Sequence, residues 1–110
     1  MNRPSLQWKV LERRVARDLD TFRTPLSGSA SHLTAGDVVH PQLYVECKYR
    51  KRSALHTMMA PVCVNAHHEG KIPLLVVQQA NSRQLLAVIE WPLFLRLLDG
   101  QEKEQGHDQP

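Results

Sequence analysis

The sequence predicts an α/β domain: a central mixed β-sheet flanked by helices, in the element order αβββαββα. Three observations carry this. Apolar residues recur at three- and four-residue steps in three separate segments. Between those segments lie short Val-, Leu- and Ile-rich runs bounded by Pro, Gly, Asn and Ser. Helical and strand patterns then succeed one another within 110 residues, enough for one hydrophobic core and too few for two.

The first helix is expected over residues 5–21, with Ser5 as its N-cap and Trp8, Leu11, Val15 and Leu19 as its apolar stripe. A short strand near Thr21–Thr24 leads into the Ser-, Gly- and Pro-rich stretch "TPLSGSASHLTAGD". Residues 37–40 and 43–49 read as two strands joined by a tight turn at Pro41-Gln42. The helical pattern returns from Ser53 to His68, with Leu55, Met58, Met59, Val62 and Cys63 on one stripe. Pro61 falls inside it and predicts a kink or a break. Gly70 suits the helix stop. "KIPLLVVQQA" is continuously apolar, as expected of a strand buried on both faces. After the "NSR" turn comes the strand "QLLAVIE". A last short helix starts at Pro92 and closes at Gly100. Residues 1–99 thus form one domain, and residues 100–110 are expected to be a polar, disordered tail.

Composition narrows the function classes. No apolar run approaches the roughly 18 residues of a membrane span, and "MNRPSLQWKV" lacks the apolar segment of a signal peptide. Cys47 and Cys63 are too few for a disulfide framework and lack zinc-site spacing, so buried thiols in a reducing cytoplasm are expected. The formal charge of +3 is uneven: basic residues crowd the first half, and the second half is net acidic. Such asymmetry suggests one electropositive face, of the kind a polyanion requires.

Chemistry concentrates in "GDVVHPQLYVECKYRKR", residues 36–52. Alternation along the second of the two strands sets Leu43, Val45 and Cys47 on one face and Tyr44, Glu46 and Lys48 on the other. Glu46 and Lys48 then stand about 6–7 Å apart. Asp37 opens the preceding antiparallel strand, where it can be brought beside Glu46. Two carboxylates held together repel unless a cation lies between them. Oxygen-only ligands select a hard ion such as magnesium or manganese. A lysine beside such an ion can orient or deprotonate water, or stabilise an anionic transition state. Arg50, Lys51 and Arg52 follow directly. His32 and His40 lie near the site. His67 and His68 are neighbours about 100° apart on a helix and so ill-suited to one ion.

With these blocks in hand, the sequence resembles the PD-(D/E)xK nuclease superfamily, with Asp37 and Glu46-Cys47-Lys48 as the motif. Within it, the chain is similar to the archaeal-type Holliday junction resolvases of archaea and phages. That similarity covers roughly residues 8–95 and rests on "LERRVARDL", "FRTPLSGSAS", "GDV" and "LYVECKYRKR". It implies a restriction-endonuclease-like fold and magnesium-dependent hydrolysis of phosphodiesters, with manganese as a substitute. It also implies paired symmetric nicks in four-way DNA junctions, a homodimer, an intracellular role in recombination and repair, and no membrane partner.

The resemblance assigns roles residue by residue. Glu12 completes the acidic cluster from the first helix. Asp37 and Glu46 are metal ligands, the Cys47 backbone carbonyl is a third oxygen, and Lys48 is the catalytic lysine. Ser27 is the mobile-loop serine that approaches the scissile phosphate, with Ser29 as its neighbour. Arg13, Arg23, Arg50, Lys51 and Arg52 hold DNA phosphates. The motif departs from the family pattern in opening Gly36-Asp37 instead of Pro-Asp. Three alternatives stay open: a nuclease of the same fold acting on flaps, nicked duplex or a restriction-type site, a non-catalytic DNA-binding module of that fold, and a structural or assembly protein whose basic strand end is incidental.

Overall fold

A computed structural model describes residues 4–25 and 33–107. Helix α1 spans Pro4–Asp18, strand β1 Leu43–Arg50, helix α2 Leu55–Glu69, strand β2 Ile72–Gln79, strand β3 Leu85–Val88 and helix α3 Trp91–His107. The strands form an open mixed sheet in the order β1-β2-β3, with β1 parallel to β2 and β2 antiparallel to β3. Glu46 lies opposite Leu75, and Lys48 opposite Val77, in the β1–β2 register.

The sheet is covered on both faces. Leu11, Val15 and Ala16 of α1 pack with Val38, Val45, Cys47 and Val76 in one apolar cluster. Val62 and Ala66 of α2 pack with Tyr44, Leu75 and Val77 in the other. Successive β2 residues therefore feed opposite clusters, as its continuously apolar pattern predicts. Tyr44 is almost fully buried, and its hydroxyl accepts a hydrogen bond from Asn65 Nδ2 at 3.1 Å, which ties β1 to α2.

Two of the expected strands are not formed. The segments near Arg23 and Val38 make single bridges, Arg23 to Val38 and Val38 to Val45, so the order is αβαββα. Threonine hydroxyls explain the shortfall. Thr21 Oγ1 donates to the Val39 carbonyl at 2.6 Å, and Thr24 Oγ1 donates to the Gly36 carbonyl at 2.7 Å. Those carbonyls are thereby partnered by side chains where a longer ladder would use backbone N–H groups. Three backbone bonds remain: Thr24 N–H to Asp37 O, Val39 N–H to Phe22 O and Asp37 N–H to Val45 O.

Other boundaries also shift. Helix α1 already includes Pro4, so Ser5 lies within it and not at its cap, and it ends at Asp18. The left-handed backbone of Asp20, φ 59°, carries the chain away from the helix. Helix α2 runs through Pro61 as one element and stops at Gly70, whose φ is 65°. Gly100 does not close α3, which continues to His107; among the glycines described, only Gly70 has the left-handed conformation of a cap. No α3 residue joins either apolar cluster. Among the described residues, no helix is long and apolar enough to cross a membrane.

Candidate active site

The middle of α1, Asp37 and the second half of β1 border a cleft of about 390 Å3. Its walls include Trp8, Glu12, Asp37, Glu46, Lys48 and Arg50. The backbone fixes Asp37 first. Its N–H donates to Val45 O at 2.8 Å, and its Oδ2 accepts from the Cys47 N–H at 2.8 Å. Asp37 is thereby stapled to β1 on either side of Glu46. Lys48 Nζ stands 3.4 Å from Glu46 Oε2, one pleat further along.

Electrostatics follow from this crowding. Burial first, and then Asp37 beside it, push the Glu46 carboxyl up to about 7, against the opposing pull of Lys48. Glu12 is buried on α1, and its carboxyl is raised by burial and by Asp37, against the Arg23 guanidinium. Asp37 therefore lies electrostatically between two other carboxyls. The Cys47 thiol is held far above its ordinary value by burial and by the same three carboxylates, so it is no nucleophile.

Arg23 does not stand free toward solvent. Its Nε donates to Glu12 Oε1 at 3.0 Å, and its guanidinium lies 5.9 Å from the Trp8 ring centroid. Arg50, Lys51, Arg52 and Arg13 are exposed. Arg50 borders the cleft, Lys51 and Arg52 line a neighbouring groove, and Arg13 lines a third with Arg23. Ser27, Ser29 and His32 lie outside the described residues. His40 is a structural residue: its Nδ1 accepts from the Gln42 and Leu43 N–H groups and shapes the turn into β1. Gln78 and Gln79 bond to the carbonyls of Ser82 and Lys51 and do not reach the cleft. Among the described residues, no group of three or more His, Cys, Asp or Glu side chains could hold a metal ion as they stand.

Sequence reasoning missed the brace behind Asp37. Thr34 is buried, and its hydroxyl donates to Glu69 Oε1 at 2.7 Å, while the Ala35 N–H donates to Glu69 Oε2 at 2.8 Å. Thr34 Oγ1 in turn accepts from the Gly36 N–H at 3.0 Å. The end of α2 thus holds the loop that delivers Asp37. Burial pushes the Glu69 carboxyl up, but the Ala35 amide, the Thr34 hydroxyl and Lys71 outweigh it and hold the carboxyl below its ordinary value. A depressed carboxyl stabilises the fold above its unfolded value and loses that contribution as pH falls through the folded one. Glu69→Ala is expected to cost about 1–3 kcal/mol at pH 7, because it leaves the Thr34 and Ala35 donors unpaired. The deficit relative to wild type should shrink below about pH 4 in thermal melts. A deficit equally large at pH 3 would remove the ionised Glu69 from the brace.

Gly36 also has a geometric reason. A Cβ there would sit 2.8 Å from the Val45 carbonyl oxygen, and its N–H is used by Thr34. Proline, with a ring and no N–H, fits neither condition, which accounts for Gly-Asp in this chain. The chain matches no family model, and no curated protein or solved structure is significantly similar to it.

Proposed function

We propose that the cleft is the active centre of a magnesium-dependent DNA endonuclease that resolves four-way junctions. One observation carries the reading: Asp37, bonded to the Cys47 N–H of β1, shares a cleft with Glu46, with Lys48 3.4 Å from that glutamate and Glu12 closing the same cleft. A carboxyl pushed to about 7 by burial, and then by the carboxylate beside it, favours taking up a proton or a cation at neutral pH.

The donor set fits a hard divalent ion. Asp37 and Glu46 would hold it, with the Cys47 carbonyl as a third oxygen; Glu12 would join only after parting from Arg23. When bound, such an ion supplies charge neutralisation and Lewis acidity for phosphodiester hydrolysis. The protein's own groups do the rest. Glu46, with Lys48 Nζ 3.4 Å away, lines the cleft where a water can be oriented or relieved of a proton. The Lys48 ammonium also opposes negative charge developing on a phosphate. Arg50 at the rim and Arg13, Lys51 and Arg52 in the adjoining grooves hold neighbouring phosphates without reading sequence. The restriction-endonuclease-like topology belongs to the same proposal, as do the Ser27 and Ser29 roles that the sequence resemblance implies. Two symmetric nicks require two sites, so the working form in this reading is a two-fold homodimer in the cytoplasm.

One observation favours a second reading. Glu12 is neutralised by Arg23, and no metal-ligating trio stands assembled among the described residues. A DNA-binding module of this fold without cleavage would look the same at Glu12. Incubation of the purified protein with a labelled junction, with and without magnesium, separates the two.

A further inference from the structure

We propose that Arg23 is a positioning residue that withholds Glu12 from the acidic cleft until a phosphate of bound nucleic acid takes its guanidinium. Glu12 and Asp37 line the same cleft, yet the Glu12 carboxylate is committed to Arg23 at 3.0 Å. The pair is sheltered, with the Arg23 and Glu12 side chains 24% and 9% exposed, so neither charge can give up its partner without taking another. The backbone leaves the side chain as the moving part. Arg23 is bridged to Val38, and on either side of it the Thr24 N–H bonds to Asp37 O and the Phe22 carbonyl accepts from the Val39 N–H. Arg23 therefore parts from Glu12 by turning its side chain.

A competing partner has a place to bind. Arg23 also lines a groove of about 400 Å3 with Arg13 and Arg17, both exposed and one helical turn apart on α1. Among the described residues of that lining only Asp20 is acidic, and neither Arg13 nor Arg17 makes an ion pair with a described residue. Arg23 thus stands at the divide between an acidic cleft and a basic groove. Its Nε holds the glutamate, and its two Nη groups carry four further N–H donors. A phosphodiester in the groove presents a pair of oxygens as a carboxylate does, so the guanidinium can exchange one for the other without losing a charge-assisted bond. The Trp8 ring, 5.9 Å from the guanidinium, offers it a π face beside the turning point. Glu12, buried and deprived of its counter-charge, then turns to the cation that Asp37 and Glu46 take up in the cleft. Nucleic acid and the divalent ion each favour the state in which Arg23 has left Glu12, so each raises the affinity for the other.

This rests on the metal-dependent nuclease reading and adds to it how the centre is completed. The test is calorimetric titration of Mn2+ into wild type, Arg23→Gln, Glu12→Gln and the double variant, all without DNA. Arg23→Gln is expected to bind Mn2+ about tenfold more tightly than wild type, and the double variant no more tightly than Glu12→Gln. Tightening that persists without Glu12 would come from the lost positive charge alone and would overturn the inference. Equal affinities of wild type and Arg23→Gln would overturn it too, while leaving the metal site and the nuclease reading in place. No Mn2+ binding by any of the four would remove both. If Arg23→Gln fails to fold, the chain with and without Glu12→Gln is titrated in the presence and absence of a four-way junction, with Lys48→Met in both to prevent cleavage. The junction is then expected to tighten Mn2+ binding about tenfold more where Glu12 is present. Equal tightening in the two chains overturns the inference.

Discussion

Glu46→Gln is expected to abolish cleavage and, in the absence of divalent ions, to stabilise the protein at pH 8. The amide keeps the size of the side chain but removes an anionic ligand and the ion-pair partner of Lys48. Loss of such a group lowers rates by roughly 10²–10⁴-fold. Junction binding should persist or tighten, because one negative charge near the phosphates is gone. The stability effect has the opposite sign. Glu46 is raised from 4.5 to about 7 in the fold, so the folded state binds more protons between those values. Wild-type stability should therefore fall as pH rises from about 4.5 to 7 and stay low above it. The glutamine variant should lack that fall, a difference of about 1–3 kcal/mol at pH 8 in EDTA. Magnesium should raise the wild-type melting temperature at pH 8 and leave that of the variant unmoved. A variant that nicks at the wild-type rate under limiting magnesium would show that Glu46 is no ligand.

Gly36→Ala should lower stability by about 1–3 kcal/mol and cleavage with it. The added Cβ meets the Val45 carbonyl oxygen at 2.8 Å and the Val45 nitrogen at 3.3 Å, both backbone atoms of β1. Neither can swing aside as a flexible side chain would. Relief must come from moving residues 36–37 off β1, which lengthens the 2.8 Å bond between Asp37 and the Cys47 N–H. Gly100→Ala is the matched control. A Cβ there meets nothing within 4 Å, so the same change inside α3 should be neutral or stabilising by about 0.5–1 kcal/mol. Equal melting temperatures for the two variants would place the Asp37 loop further from β1 than described.

The part of the site carried by one strand was legible in the sequence. Strand alternation alone puts Glu46 and Lys48 side by side, and the turn at Pro41-Gln42 returns Asp37 to them. Glu12 entered the site only through the resemblance, and the pairings around it were not legible. Glu12 and Arg23 meet only because the chain reverses at Asp20, and nothing local to either residue encodes that approach. The Glu69 brace joins residues 35 apart, from a loop and a helix end that carry no shared pattern. For the fold, β2 was readable from its continuous apolar run, which the two-sided core explains. The strands around Arg23 and Val38 were over-read, because threonine hydroxyls take carbonyls that a sheet would use. Gly100 was over-read as a stop, since glycine ends a helix only where the backbone turns left-handed.

The central claim is that Asp37, Glu46 and Lys48 form a nuclease centre. The measurement that tests it most directly is cleavage of an end-labelled four-way junction by purified wild-type protein in magnesium and in EDTA, with Glu46→Gln prepared in parallel. The account predicts paired, symmetric nicks by wild type in magnesium, none in EDTA, and bound but uncut junction with the variant. Junction left intact in magnesium and manganese alike, or cut equally by Glu46→Gln, would contradict it.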